Sequence, residues 1–187
     1  MGKNSKTMLP RRQITLGRQP RIRRSPNAGS KMESGVLSAG SGSAAWVVGD
    51  LYTIKASGRE TGGAFCLIEV AVPPQSGPPP HVHQREDEAF YIVDGEFKVS
   101  IDGKELTAGP GSWVRLAKGS LHHFKNVGTS SGKMLILATP AGLDEFFLEA
   151  GRNARTSPPE AGAPTEADVQ RLLEVAPKYD IEIKLPS

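Results

Sequence analysis

The sequence has little cysteine, few aromatic residues and no long apolar run. Its one cysteine, Cys66, excludes an intrachain disulfide, so we expect a fold without disulfide bonds in a reducing compartment. Cys66 lies in the apolar run 64–68, where burial favours an inert thiol over a nucleophile. No stretch approaches about 18 consecutive apolar residues, and the N-terminal segment lacks the apolar core of a secretory signal. We therefore expect a soluble, cytoplasmic protein without membrane contact.

Acidic residues are absent from the N-terminal segment. Residues 1–31 contain nine Lys or Arg and no acid, whereas the rest holds the other 14 basic residues and all 20 acidic ones, a formal charge of −6. The sequence pI of 9.1 therefore comes from this segment, and we expect no nucleic-acid partner. Its composition predicts that residues 1–43 are a disordered extension, because such a chain buries too little apolar surface. Three explanations of this segment remain open: an arm that binds nucleic acid or an anionic surface, an organelle transit segment, or translated sequence upstream of a start at Met32. We favour the last.

Short β-branched and aromatic runs fill residues 44–140, separated by Gly, Pro and Asp, which is typical of an all-β sandwich or barrel. The Asp-Gly pair at 102–103 suits a two-residue type I′ hairpin turn. Period-2 alternation places Glu88, Phe90 and Ile92 on one face of a strand. The pattern predicts eight strands, at 46–56, 64–72, 88–93, 96–101, 105–108, 112–116, 122–126 and 133–139.

The pattern changes in residues 141–187, where helices and a terminal strand are expected. Residues 143–151 carry apolar side chains at helical spacing, and a second apolar stripe follows Thr165, which forms a capping-box pattern with Asp168. The alternating run 181–185 predicts an edge strand, in this subunit or in a neighbour. These apolar surfaces exceed what a small barrel needs, so we expect a homodimer, although edge pairing within one chain would also explain them.

The histidines of the sequence fall at two places, His81 with His83 and His122 with His123. In an extended strand His81 and His83 project to one face about 6.6 Å apart, so two imidazoles can converge on one ion. Glu88 can return to the same ion from the next turn, and a third imidazole would complete the pocket. His123 should point away from that pocket if its strand is regular.

Two segments carry a family resemblance. His81, His83, Glu88 and Gly95 stand at the spacing H-x-H, a short gap, E, six residues, G, which resembles the first motif of the cupin family. The segment 111–126 resembles the second cupin motif and ends in His122 and Asn126. It departs from that motif at Ala117, where the family usually has proline, which affects the stiffness of a turn and no ligand. The C-terminal pattern is also similar to bacterial quercetin dioxygenase-like cupins.

The resemblance implies a cupin jelly-roll, an antiparallel β-barrel followed by C-terminal helices. It implies that His81, His83, Glu88 and His122 bind one divalent transition metal per chain, among Fe, Ni, Mn, Cu and Zn. One or two coordination positions would stay open for water, a small-molecule substrate or dioxygen. We interpret the neighbouring run 85–87 as a solvated loop at the barrel mouth.

The function expected from this site is a dioxygenase reaction on a small aromatic or enolisable, quercetin-like substrate. Glu88 would either stay a ligand throughout or act catalytically as the general base that takes the substrate's hydroxyl proton. Two other functions stay open, a noncatalytic metal-dependent binding protein and an isomerase or epimerase. The candidate pocket walls, which could equally fill the core of a narrow barrel, are Phe90, Ile92, Trp113 and Phe124. Tyr52 and Tyr91 are undecided between the same two roles.

Overall fold

The computed structural model describes residues 34–156 and 164–185. The basic N-terminal segment, Met32 and most of the region between the two predicted helices lie outside these residues. In the described part, the elements are two α-helices, a short 3₁₀ helix and twelve strands: β1 (Ala44–Val47), β2 (Asp50–Ala56), β3 (Cys66–Val72), β4 (His81–His83), β5 (Asp87–Asp94), β6 (Phe97–Ile101), β7 (Lys104–Ala108), β8 (Trp113–Leu116), β9 (His122–Asn126), β10 (Gly132–Thr139), α1 (Leu143–Ala150), β11 (Arg152–Asn153), α2 (Glu166–Val175), the 3₁₀ helix (Ala176–Tyr179) and β12 (Ile181–Ile183).

The strands form two antiparallel sheets that enclose one apolar core. The larger sheet has the order β11-β1-β2-β3-β10-β5-β8, and the smaller has the order β12-β4-β9-β6-β7. Along β3, buried residues alternate with half-buried ones, as expected for a strand that packs one face on a core. The innermost side chains, at most 1% exposed, include Ile68, Phe90, Phe97 and Met134. The predicted all-β jelly-roll is therefore confirmed.

The hairpin predicted at the Asp-Gly pair is present between β6 and β7. Ile101 pairs with Lys104 across the turn, so two residues connect the strands. Asp102 has φ 50° and Gly103 has φ 81°, and a type I′ turn requires a positive φ at both positions.

The prediction of one strand over residues 46–56 is wrong, because a tight turn divides this segment into β1 and β2. Val47 pairs with Asp50, and the two residues between them, Val48 and Gly49, have φ values of 41° and 95°. A positive φ is rare for a β-branched residue, and valine favours extended strands. The presence of Val48 therefore predicts a continuous strand here and not a turn. Only Gly49 signals it in the sequence.

The helices of the C-terminal segment pack on one side of the barrel. Helix α2 begins at the predicted capping box, since the Asp168 amide donates to Thr165 Oγ1 at 3.2 Å and the Thr165 amide donates to Asp168 Oδ2 at 3.0 Å. Helix α1 places Phe147 against Tyr52 of β2, with stacked rings 4.0 Å apart. None of the helices in the described segments is both long and apolar enough to cross a bilayer.

The last strand, β12, pairs with β4 of the same chain. Ile181 lies opposite His83, and Ile183 lies opposite His81. The intrachain pairing left open by the sequence is therefore the one found, and the homodimer stays a prediction.

Candidate metal site

The two sheets each contribute to a cluster of metal-binding side chains inside the barrel. His81 and His83 lie on β4, and His122 lies on β9 directly opposite His81. Glu88 comes from β5 of the other sheet. The four side chains offer ligand atoms that all lie within 4.8 Å of one another, and none of the four residues is more than 9% exposed.

The distances around Glu88 suit a single ion. Its Oε2 lies 3.0 Å from His122 Nε2 and 3.6 Å from His83 Nε2. Two ligand atoms that each bind one ion at about 2.1 Å can be no more than about 4.2 Å apart. Both distances from the Glu88 carboxylate are within this limit.

Backbone carbonyls select the tautomers of two of the histidines. His81 Nδ1 lies 2.9 Å from the carbonyl oxygen of Pro79, and His122 Nδ1 lies 3.0 Å from that of Ser120. Because a carbonyl oxygen can only accept, Nδ1 carries the proton in both rings. Each Nε2 is then the atom left to bind a metal, and the backbone hydrogen bond holds the ring in place.

The ring nitrogens of His83 also indicate that the cluster fits a metal ion. It is 3% exposed, and neither ring nitrogen has a hydrogen-bond partner among residues 34–156 and 164–185. A buried polar group without a partner costs about 1–3 kcal/mol. An ion bound at the cluster would remove that cost at one of the two nitrogens, so the donor set and its surroundings fit a cupin metal site.

Burial and mutual charge favour the protonation states that a metal needs. Burial, followed by the neighbouring His122 and His83, lowers the pKa of His81 to about 3, and burial also lowers the pKa of His83. Burial alone would raise the pKa of Glu88, but the adjacent histidines outweigh it and lower that pKa. Neutral imidazoles beside an ionised carboxylate are the metal-binding form of these groups.

His122 differs from the other two ligand-type histidines. Burial acts to lower its pKa, but the hydrogen bond to Glu88 and the charge of that carboxylate, together with the Ser120 carbonyl and the charge of Asp102, outweigh burial and raise it. When both ring nitrogens of His122 are protonated, Nε2 donates to Glu88 Oε2 at 3.0 Å. Metal binding at this nitrogen would release that proton.

A narrow cavity of about 30 Å³ adjoins the cluster, room for about two water molecules. Its far wall comes from the C-terminal segment: α1, α2 and β12 all contribute apolar side chains. The lining residues are Val47, Val48, Tyr52, Pro78, Pro79, His81, His83, Glu88, Phe90, Phe124, Ile136, Phe146, Phe147, Leu172, Ile181 and Ile183.

The candidate pocket residues are placed differently from one another. Phe90 and Phe124 line the cavity, whereas Ile92 is fully buried in the barrel core and is not part of the lining. Trp113 is 52% exposed on β8, opposite the exposed Tyr91, so the expectation that it forms a pocket wall is wrong. The alternation of β8 turns Trp113 outward and Val114 toward the core. His123 is half-buried and lies outside the cluster.

Two features of the site were missed by sequence reasoning. Glu86 is 1% exposed, so the interpretation of 85–87 as a solvated loop is wrong at this residue. A Cβ added at Gly142 would lie 2.8 Å from Glu86 Oε1, so the absence of a side chain there makes room for the carboxylate. The apolar wall from α1, α2 and β12 was also missed, because no local pattern indicates where helices dock on a barrel.

A jelly-roll barrel with a buried cluster of three imidazoles and one carboxylate defines the class of small metal-site cupins. Residues 68–138 match the family described as "Cupin domain". Residues 68–138 of the barrel thus match a cupin domain, and the chain resembles quercetinase-like cupins.

The proteins to which this chain is similar differ in what their names say. A quercetin 2,3-dioxygenase of Bacillus subtilis (strain 168) is 25% identical over 116 residues, which are 62% of this chain and 34% of that protein. The chain thus spans about a third of the length of this curated relative. An RmlC-like cupin from Shewanella frigidimarina superposes with a TM-score of 0.51 at 17% identity, over 61% of this chain and 98% of the other. For KdgF from Halomonas sp. the TM-score is 0.47 at 22% identity, over 52% and 84% of the two chains.

Proposed function

We propose that this cupin is a metal-dependent dioxygenase that acts on a small aromatic or enolisable substrate. The observation that carries the proposal is the buried cluster of three imidazoles and one carboxylate beside an apolar cavity. The resemblance to a quercetin 2,3-dioxygenase supports the choice of reaction class.

The four side chains suit one divalent transition metal, among Fe, Ni, Mn, Cu and Zn, because imidazole binds all of these ions. Four protein ligands leave one or two positions of a five- or six-coordinate ion for other molecules. When bound, a redox-active ion of this kind supplies a Lewis acid for a substrate oxygen and a route for electrons to dioxygen.

Glu88 is the residue that would move a proton. Its Oε2 already accepts a hydrogen bond at 3.0 Å inside the barrel, and its lowered pKa keeps it ionised. An ionised carboxylate within hydrogen-bond reach of a substrate hydroxyl can take that proton as a general base. The apolar walls around it would hold the substrate's body and exclude bulk water.

The cavity sets a condition on substrate entry. A cavity of about 150 Å³ accommodates benzene, whereas the one described holds about 30 Å³. An aromatic substrate therefore requires the wall to move outward, and helix α2 supplies a part of the wall that lies outside the two sheets. We propose that Leu172 moves with α2 when a substrate enters.

The test is metal content and dioxygen uptake on the full chain. We expect about one ion per chain by elemental analysis and uptake with at least one of a flavonol, a β-diketone and a catechol. Glu88→Gln, which keeps the shape of the side chain, should reduce uptake by about 100-fold or more. Glu105→Gln on β7 is the matched control, since Glu105 is exposed and lies outside the cluster.

Metal content must be measured in each variant, because loss of the ion would also abolish uptake. Bound metal without uptake for all three substrate classes would contradict the dioxygenase and favour a noncatalytic binding protein or an isomerase.

A further inference from the structure

Tyr52 is an unusual member of the cavity wall. Among the described residues that line the cavity, it has the only side chain with a polar atom apart from the members of the metal cluster. The other lining side chains are those of valine, proline, phenylalanine, isoleucine and leucine. Among the described lining side chains outside the metal cluster, Tyr52 is therefore the one that can form a hydrogen bond with a polar group of a bound molecule.

The ring of Tyr52 is held in one position. The residue is 2% exposed, and its ring stacks on that of Phe147 with centroids 4.0 Å apart and planes 20° apart. A buried ring stacked on a neighbour loses little further freedom when its hydroxyl binds a ligand, so binding there carries a small entropic cost.

The hydroxyl of Tyr52 lacks the partner that a buried phenol normally has. Tyr179 shows the usual arrangement, since its hydroxyl donates to Glu149 Oε2 at 2.7 Å. Tyr52 has no such bond within residues 34–156 and 164–185. Burial, and then the charges of Asp50 and Glu88, raise the pKa of Tyr52 well above its ordinary value. The group therefore stays a hydrogen-bond donor at neutral pH.

We infer that Tyr52 is a substrate-binding residue whose hydroxyl donates a hydrogen bond to an oxygen of the molecule in the cavity. This inference rests on the proposed function in one respect, namely that the same molecule reaches the metal cluster. The ligand class is a compact apolar molecule with two oxygens. One oxygen faces the metal cluster, and the other accepts from Tyr52, as in a β-diketone, a catechol or a hydroxyketone.

The test is a binding titration of the metal-loaded full chain without dioxygen. The probes are acetylacetone, catechol and 3-hydroxyflavone, measured by calorimetry. Tyr52→Phe removes the hydroxyl and keeps the ring stacked on Phe147, and Tyr91→Phe is the matched control because Tyr91 is 43% exposed on the outer face. For the probe that the unmodified protein binds most tightly, we expect about 10- to 100-fold weaker binding in Tyr52→Phe. Tyr91→Phe should stay within about twofold.

The outcomes separate this inference from the proposed function. Equal affinity in Tyr52→Phe and the unmodified protein, at equal metal content, would overturn the role of the hydroxyl. Failure of all three probes to bind the unmodified protein would overturn the ligand class. Because turnover is not needed, Tyr52-dependent binding without dioxygen uptake would contradict the dioxygenase and support the inference.

Discussion

Asp50 makes the stability of this protein depend on pH near neutrality. Its side chain is fully buried at the start of β2, where Ser76 Oγ donates to Oδ1 at 2.6 Å. The other oxygen has no partner among the described residues. Burial raises the pKa of Asp50 from 3.8 to about 7, because ionisation inside the barrel is costly.

The direction of the pH dependence of folding stability follows from the raised pKa of Asp50. Below the unfolded-state pKa both states are protonated at Asp50, and its contribution to stability is fully present. As pH rises toward 7, the unfolded chain loses the proton first, so folding stability falls. A shift of about three pKa units corresponds to a loss of about 4 kcal/mol between about pH 4 and pH 7.

Asp50→Asn removes this titration while keeping an acceptor for Ser76. We expect the variant to gain about 4 kcal/mol relative to the unmodified protein between about pH 4 and pH 8, measured by urea unfolding of chelator-treated protein. Comparing the two proteins at each pH cancels the titration of the metal cluster. Asp94→Asn is the control, because Asp94 is exposed at the end of β5, and a similar gain there would indicate a general charge effect. The reasoning would be refuted if the free energies of unfolding of Asp50→Asn and the unmodified protein changed with pH in parallel.

Three further substitutions test the metal cluster, the C-terminal wall and a helix cap. His83→Ala should lower bound metal from about one ion per chain to almost none by elemental analysis, whereas His123→Ala should keep it. Leu172→Ala should cost about 2–5 kcal/mol in denaturant unfolding because Leu172 is 4% exposed, and Leu173→Ala, at 36% exposed, should cost less than about 1 kcal/mol. Thr165→Ala should cost about 0.5–2 kcal/mol by the same measurement, because it removes half of the capping box of α2. An unchanged metal content, equal costs in the two leucine variants, or a neutral Thr165→Ala would each contradict the corresponding argument.

The barrel was predictable where the chain carries local signals. Strand alternation around Phe90 and the Asp-Gly pair at 102–103 depend only on neighbouring residues, and both led to the observed elements. The candidate cluster was predictable for a related reason. His81, His83 and Glu88 lie within eight residues, so strand geometry alone places them near one another, and the motif resemblance indicated His122.

The remaining features depend on strand pairing and tertiary contacts that local propensity does not show. The turn at Val48 and Gly49 is stabilised by the pairing of β1 with β2, although Val48 favours an extended strand. The charged run around Glu86 predicts a surface residue. Its burial depends on Gly142, which packs beside it and leaves room for the carboxylate. The sequence predicts that Phe147 and Leu172 lie on the apolar faces of two helices. No local pattern shows that these faces close the cavity.

The pairing of β12 with β4 has a consequence for how the barrel folds. Strand β4 carries two of the four cluster residues, and it pairs with β9 only where His81 faces His122. Its other neighbour, β12, comes from far along the chain: Gln84 and Glu182, 98 positions apart, share a hydrogen bond. Such distant pairing has a large loop-closure entropy and slows folding. During synthesis on the ribosome, the strand with His81 and His83 thus gains its second neighbour only after residues 181–183 have emerged, so completion of the ion-binding cluster is a late event in folding.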